Sequence, residues 1–383
     1  MAVIAQRERL RQRVRQRLEA TKGLNPFAIV QRRQPDLRSG AIVAEAEPGL
    51  REIGGLHRGR YRVAEFEQGG GGAVCLRGGG HVWIWRALPP GRNPEDFRMA
   101  AYEDGYWMSA DGLKLHYRLY PGDESLLPVL CFPGLTRNAR DYDALAARLA
   151  GRRQVIAVEF RGRGRSEYAK DPMTYVPATY VADVQALLAE RGIGRFVAIG
   201  TSLGGIVTML LAQAGAPIAA ALLNDVGPEI EAAGLSRIRG YVGKGSSCPT
   251  WMHAARTLAE GNGDVYPDWE IEDWLAMAKR LYRLTSSGRI VLDYDLKIAE
   301  PFRTPGNEAG ADMWAALSAL RDTPTLIVRG GRSDVLSQPV AERMLAALDQ
   351  AELVTLPGVG HAPTLAEEPL RDAIDRLLDQ ARA

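Results

Sequence analysis

Residues 199–205 read Ile-Gly-Thr-Ser-Leu-Gly-Gly, a serine with glycines two places to either side. The run Arg195–Ile199 before it suits a strand, and Ile206-Val-Thr-Met-Leu-Leu-Ala after it suits a helix, the setting in which G-x-S-x-G presents a nucleophile. A serine on so sharp a turn has a strained backbone and crowds its neighbours, so residues 200 and 204 must be small. The turn would expose the Ser202 hydroxyl at the positive end of the following helix. Ser202 is the candidate nucleophile.

A hydroxyl is too weak an acid to attack unaided; it needs a histidine base, itself oriented by a carboxylate. After a strand–turn–helix serine the expected chain order is Ser, then Asp or Glu, then His. Of five histidines, His361 fits, because it follows the strand-like run Glu352–Leu356 in the loop Pro357-Gly-Val-Gly-His-Ala-Pro. The acid is expected after the preceding strand, where Thr323-Pro-Thr-Leu-Ile-Val-Arg leads into Gly330-Gly-Arg-Ser-Asp334. Asp334 is therefore preferred, with Asp225, after the apolar run Ile218–Leu223, as its rival. A tetrahedral oxyanion also needs two backbone N–H donors. Leu203, next to the nucleophile, and Leu135, in the loop Phe132-Pro-Gly-Leu after an early apolar strand, are the candidates.

The elements that would position these residues alternate along the chain. An opening antiparallel pair spans 106–108 and 113–120; strands follow at 127–132 and 154–160 and helices near 141–149 and 180–190. The pattern resumes with strand 325–329, helix 339–348, strand 352–356 and helix 364–380, as a parallel sheet requires. With the serine turn and the segment Phe160-Arg-Gly-Arg-Gly-Arg-Ser166, the chain from about Glu103 onward resembles the α/β-hydrolases that carry a cap domain. The resemblance implies a mostly parallel central sheet flanked by helices, with the site at the strands' C-terminal ends and a mainly helical lid inserted after the sixth strand. Phe132-Pro133-Gly134 stands where many relatives have His-Gly before the oxyanion donor, and serine rather than aspartate at the turn argues against dehalogenase and epoxide hydrolase activity. The expected divisions are an extension at 1–98, a core at 99–226 and 321–383, and a lid at 227–320.

Residues 1–98 hold seventeen arginines, one lysine and ten acids, a charge of +8, against −6 for the rest. Residues 5–19 suit a basic helix, and Gly- and Pro-rich sequence follows. Three readings fit: a poorly ordered arm, a small module for an acidic surface, or translation from a start codon upstream of Met99. The first is preferred. No nucleic-acid-binding motif accompanies the charge, so a nucleic-acid partner is not expected. No apolar run approaches the roughly 20 residues of a membrane span, and the N-terminus lacks the apolar centre of a signal peptide, so a cytoplasmic protein is expected. Three scattered cysteines suggest neither a disulfide framework nor a metal site.

The expected activity is hydrolysis of a carboxylic ester or lactone of a small molecule through an acyl-enzyme on Ser202, without metal or cofactor. Diketone or amide hydrolysis and acyl transfer could use the same residues, and a non-catalytic receptor is the reading from another class. Arg137, just beyond the oxyanion turn, and Trp251 and Trp274, in the lid, are the candidate substrate contacts. Arg137 reads more readily as a surface-loop arginine, or as one capping the helix near Asp141, than as a substrate contact.

Overall fold

Alternate residues of the central strands pack on opposite faces of one sheet, and both faces are apolar, as a sheet sandwiched between helices requires. Leu130, Phe132, Ile156, Val158 and Ala198 meet one helical layer, while Val129, Cys131, Val155, Ala157 and Val197 meet the other. The structure, a computed structural model, describes residues 101–245, 247–303 and 312–381, with five strands nearer the N-terminus. The chain divides into two compact units, residues 1–98 and 99–383.

In the first unit, β1 (Val30–Arg32), β2 (Val43–Glu45), β3 (Arg62–Phe66), β4 (Ala73–Gly78) and β5 (His81–Arg86) form an antiparallel sheet in the order β1-β5-β4-β3-β2. The segment expected as a poorly ordered extension thus contains paired strands. Its remainder, including the basic stretch 5–19, lies outside the described residues.

The second unit carries an eight-stranded sheet. Its strands are β6 (Glu103–Met108), β7 (Lys114–Tyr120), β8 (Val129–Phe132), β9 (Val155–Glu159), β10 (Phe196–Thr201) and β11 (Ile218–Asn224), which later strands complete. Three short strands, β12 (Ser247–Cys248), β13 (Tyr282–Leu284) and β14 (Ile290–Leu292), form a separate sheet. β15 (Thr325–Gly330) and β16 (Ala351–Leu356) finish the large one, in the order β16-β15-β11-β10-β8-β9-β7-β6. In this sheet the pairs β6–β7 and β7–β9 are antiparallel and the others parallel.

Helices α1 (Asp143–Leu149), α2 (Pro177–Glu190) and α3 (Leu203–Gln213) connect the first strands. Between β11 and β15 the chain leaves the sheet through α4 (Ala232–Tyr241), α5 (Trp251–Asn262), α6 (Ile271–Leu281), the small sheet, α7 (Glu300–Arg303) and α8 (Met313–Ser318). α9 (Gln338–Ala347) and α10 (Glu368–Gln380) close the chain. The insertion has a core of its own, in which Ala254, Leu258, Tyr266, Trp274, Met277 and Leu281 from α5, α6 and their connection pack together. It is bolted to the sheet unit by polar contacts. Asn138 Nδ2 and Arg140 Nε donate to the Arg280 carbonyl at 3.0 and 2.9 Å, and Arg140 Nη2 reaches Asp293 at 2.7 Å.

The Arg-Gly-x-Gly-x-Ser segment follows β9, and the side chains at its two ends are held in the interior. Arg161 is buried with its guanidinium on Asp183 and Asp111, and the Ser166 hydroxyl donates to the Glu159 carbonyl at 2.6 Å. Among the described residues no helix is long and apolar enough to cross a membrane.

Candidate active site

Ser202 follows β10 and precedes α3 with φ 52° and ψ −116°, the left-handed region that non-glycine residues avoid at a cost of roughly 1–3 kcal/mol. The flanking glycines meet the crowding the sequence implies. A Cβ on Gly204 would lie 1.8 Å from the Phe132 carbonyl oxygen, and one on Gly200 would lie 2.4 Å from the Gly204 oxygen. The Ser202 amide is held by the Asn224 carbonyl at 2.9 Å, which ties the turn to the end of β11.

His361 reaches this turn from the loop after β16. Its Nε2 lies 3.0 Å from Ser202 Oγ. Its Nδ1 lies 2.8 Å from Oδ2 of Asp225, the residue after β11. Asp225 has no solvent exposure, and its other oxygen accepts the Gly330 N–H at 2.8 Å. Three non-glycine residues have positive φ among the described residues, Ser202, Asp225 and Leu365, and the first two both contact His361. Strain gathered on one hydrogen-bonded relay points to function.

The acid expected at Asp334 is not the one that meets His361. Asp334 follows β15, one strand farther along the sheet, where Arg237 of α4 takes both its oxygens at 2.6 and 2.7 Å. Those hydrogen bonds hold the Asp334 carboxyl below its ordinary pKa. Asp225, the rival, occupies the place beside the imidazole because its backbone is pinned: its N–H donates to the Val328 carbonyl at 2.8 Å.

The two expected oxyanion donors flank the serine. Leu203 is the first residue of α3. The loop carrying Leu135 lies against the turn so closely that a Cβ on Gly134 would sit 3.7 Å from Ser202 Cβ. Behind it, the fully buried Arg163 donates from Nε to the Leu135 carbonyl at 2.9 Å. Beneath the turn, the Thr201 hydroxyl meets Tyr142 and Asn224, each at 3.1 Å, and Asn224 also holds the Pro363 carbonyl at 2.9 Å. These contacts fix the histidine loop to the serine turn.

Ser202 and His361 open into a cavity of about 130 Å³ between the sheet and the insertion. Of the candidate contacts, Arg137 and Trp274 line it; Trp251 is not among its lining residues. Arg137 is occupied by Asp141, which it meets through both Nε and Nη2. Arg237, Tyr241, Met277 and Arg280, all cavity residues contributed by the insertion, are not among the candidates the sequence offers. The strong amphipathy of residues 271–281 was the one available signal, and it says which helix face is buried without saying what that face covers. Among the described residues no group of three or more His, Cys, Asp or Glu is placed to hold a metal ion.

A doubly covered, mostly parallel sheet with a strained serine between strand and helix, and a histidine and acid brought in from later strand ends, defines the α/β-hydrolase architecture. Residues 129–375 match the alpha/beta hydrolase family, and the chain belongs to it. It is 34% identical over 247 residues to 3-hydroxybutyrate-oligomer hydrolase of Cupriavidus necator, covering 62% of this chain and 84% of that protein. It is 25% identical over 236 residues to 2-(acetamidomethylene)succinate hydrolase of Mesorhizobium japonicum, covering 61% of this chain and 81% of that one. Among solved structures, an alpha/beta hydrolase from Novosphingobium aromaticivorans is 60% identical, with a TM-score of 0.71 over 74% of this chain and all of that one. The protein is a hydrolase enzyme.

Proposed function

We propose that this hydrolase cleaves a small carboxylic ester or lactone in the cytoplasm through an acyl-enzyme on Ser202. The observation that carries the reading is the relay itself: Ser202 Oγ to His361 Nε2 at 3.0 Å, and His361 Nδ1 to the buried Asp225 at 2.8 Å. His361 removes the serine proton as Oγ attacks the carbonyl carbon, and Asp225 holds the ring and stabilises the imidazolium. The oxyanion is received by the Leu203 and Leu135 amides, and Arg163 steadies the second of these through the Leu135 carbonyl. His361 then protonates the leaving alkoxide. Water, deprotonated by the same nitrogen, attacks the acyl carbon and returns the acid and free Ser202.

The insertion acts as a lid in this reading, closing the site on the side away from the sheet. A cavity of about 130 Å³ is smaller than ordinary ligand pockets of roughly 300–1,000 Å³, which favours a short acyl group. The relative's 3-hydroxybutyrate oligomer supports ester cleavage, since oligomers of a hydroxy acid are joined by ester bonds. Incubation with a fluorophosphonate, followed by digestion, tests the proposal. Label is expected on Ser202 and is expected to be lost in His361→Ala, with turnover of short-chain 4-nitrophenyl esters lost in Ser202→Ala. Label elsewhere, or a folded and active Ser202→Ala protein, would overturn it.

A further inference from the structure

Three arginines line the serine cavity, and two of them are matched. Arg137 makes two hydrogen bonds to Asp141, and Arg237 makes two to Asp334. Arg280, near the C-terminal end of α6, is the one left over. Asp141 Oδ1 is 4.0 Å from its Nε and already receives Arg137 Nη2. Arg280 Nε is buried without a hydrogen-bond partner, and Nη2 has only the Met277 sulfur at 3.8 Å. The Arg280 backbone, by contrast, is fixed, because its carbonyl accepts from both Asn138 and Arg140.

A buried donor without an acceptor is costly, and more so when it carries charge. Although the Arg280 side chain as a whole is 27% exposed, partial desolvation, reinforced by the like charge of Arg137, holds its guanidinium below its ordinary pKa despite Asp141. A cation so placed is completed by an anion, and the planar guanidinium fork matches a carboxylate in shape. The cavity supplying that anion's space is the one that holds Ser202 Oγ.

We propose that Arg280, with Arg137 beside it, anchors a carboxylate on the substrate, so that the ester cleaved at Ser202 is a short one bearing a free carboxylate. This deepens the esterase reading above and rests on it. The small cavity limits the spacer between the carboxylate and the scissile carbonyl to a few carbons. Specificity then comes from Arg280, because a neutral ester leaves its Nε unpaired.

The test separates anchor from chemistry. Binding of monoethyl succinate and of ethyl succinamate, its carboxamide counterpart, is measured calorimetrically with Ser202→Ala and with Ser202→Ala/Arg280→Gln. In Ser202→Ala the carboxylate ester is expected to bind roughly tenfold to a hundredfold tighter than the carboxamide, as charge-assisted hydrogen bonds allow. With Arg280→Gln added, that preference should collapse to within about threefold, and Arg280→Lys should restore part of it. Equal binding of the two probes, no measurable binding of either, or a preference that survives Arg280→Gln would each overturn the anchor. Ethanol release by the unmodified enzyme is followed in parallel. A carboxylate preference in binding with no release of ethanol would leave the anchor standing and sink the esterase reading.

Discussion

Two carboxylates follow adjacent strands, β11 and β15, and replacing each in turn decides which serves His361. In Asp225→Asn the amide oxygen can still accept the Gly330 N–H, but the NH₂ group then faces His361 Nδ1, 2.8 Å away in the wild type. The imidazole must answer by moving its proton to Nε2, the nitrogen that has to receive the Ser202 proton. The analogous change in serine proteases lowers kcat about 10⁴-fold, or about 5.4 kcal/mol at 1.36 kcal/mol per decade. Asp334→Asn leaves the relay intact. It weakens an ion pair whose side chains are each about one-third exposed, 34% and 33%. Screened pairs of that kind contribute about 0–1 kcal/mol, so kcat should change by no more than about fivefold. Both variants are assayed on 4-nitrophenyl acetate, with burst titration counting competent sites and thermal melting confirming the fold. Equal loss in the two variants, or an Asp225→Asn enzyme retaining more than about a tenth of the wild-type kcat, would refute the reasoning.

Gly204→Ala drives a methyl to within 1.8 Å of the Phe132 carbonyl oxygen, so the serine turn and β8 must separate. Overpacking of this sort costs roughly 1–3 kcal/mol or more, and fluorophosphonate labelling of Ser202 should fall along with the melting temperature. Arg163→Met removes the donor to the Leu135 carbonyl, and kcat is expected to drop about tenfold, a fraction of the 10²–10³ that loss of a whole oxyanion donor costs, with KM nearly unchanged. A change in KM alone would argue that Arg163 only supports the fold. Hydrogen bonds from Arg161 lower the Asp111 carboxyl to about 2, so its ion pair contributes stability above the unfolded-state value of about 3.9 and loses it as pH falls towards 2. Thermal melts between pH 5 and 2.5 should show a shallower acid decline in Asp111→Asn than in the wild type; parallel declines would refute the link.

The serine turn was legible because several constraints meet in seven residues. Strand, left-handed turn and helix each leave a local signature, and the glycines at 200 and 204 are demanded by contacts of 2.4 and 1.8 Å. His361 was legible because a loop histidine after a late strand has few other uses. The acid was harder for a physical reason. Asp225 and Asp334 follow neighbouring parallel strands, β11 and β15, so both stand at the same edge of the sheet and both satisfy the chain order. Two long-range contacts separate them: the Val328 carbonyl that pins the Asp225 backbone, and the Arg237 guanidinium, 97 residues away in the chain, that occupies Asp334. Arg237 and Arg280 both belong to the insertion, where side-chain fate depends on how helices settle over the sheet rather than on local pattern. That division has a consequence for specificity. The sheet places Ser202, His361 and Asp225 through short, rigid turns, whereas the insertion supplies Arg237 and Arg280, two of the three arginines that line the cavity. Relatives with the same relay and differently furnished insertions should therefore share turnover of small neutral esters and diverge on carboxylate-bearing ones. Exchanging the residue at position 280 among them should move that preference while the dependence on Ser202 stays as it was.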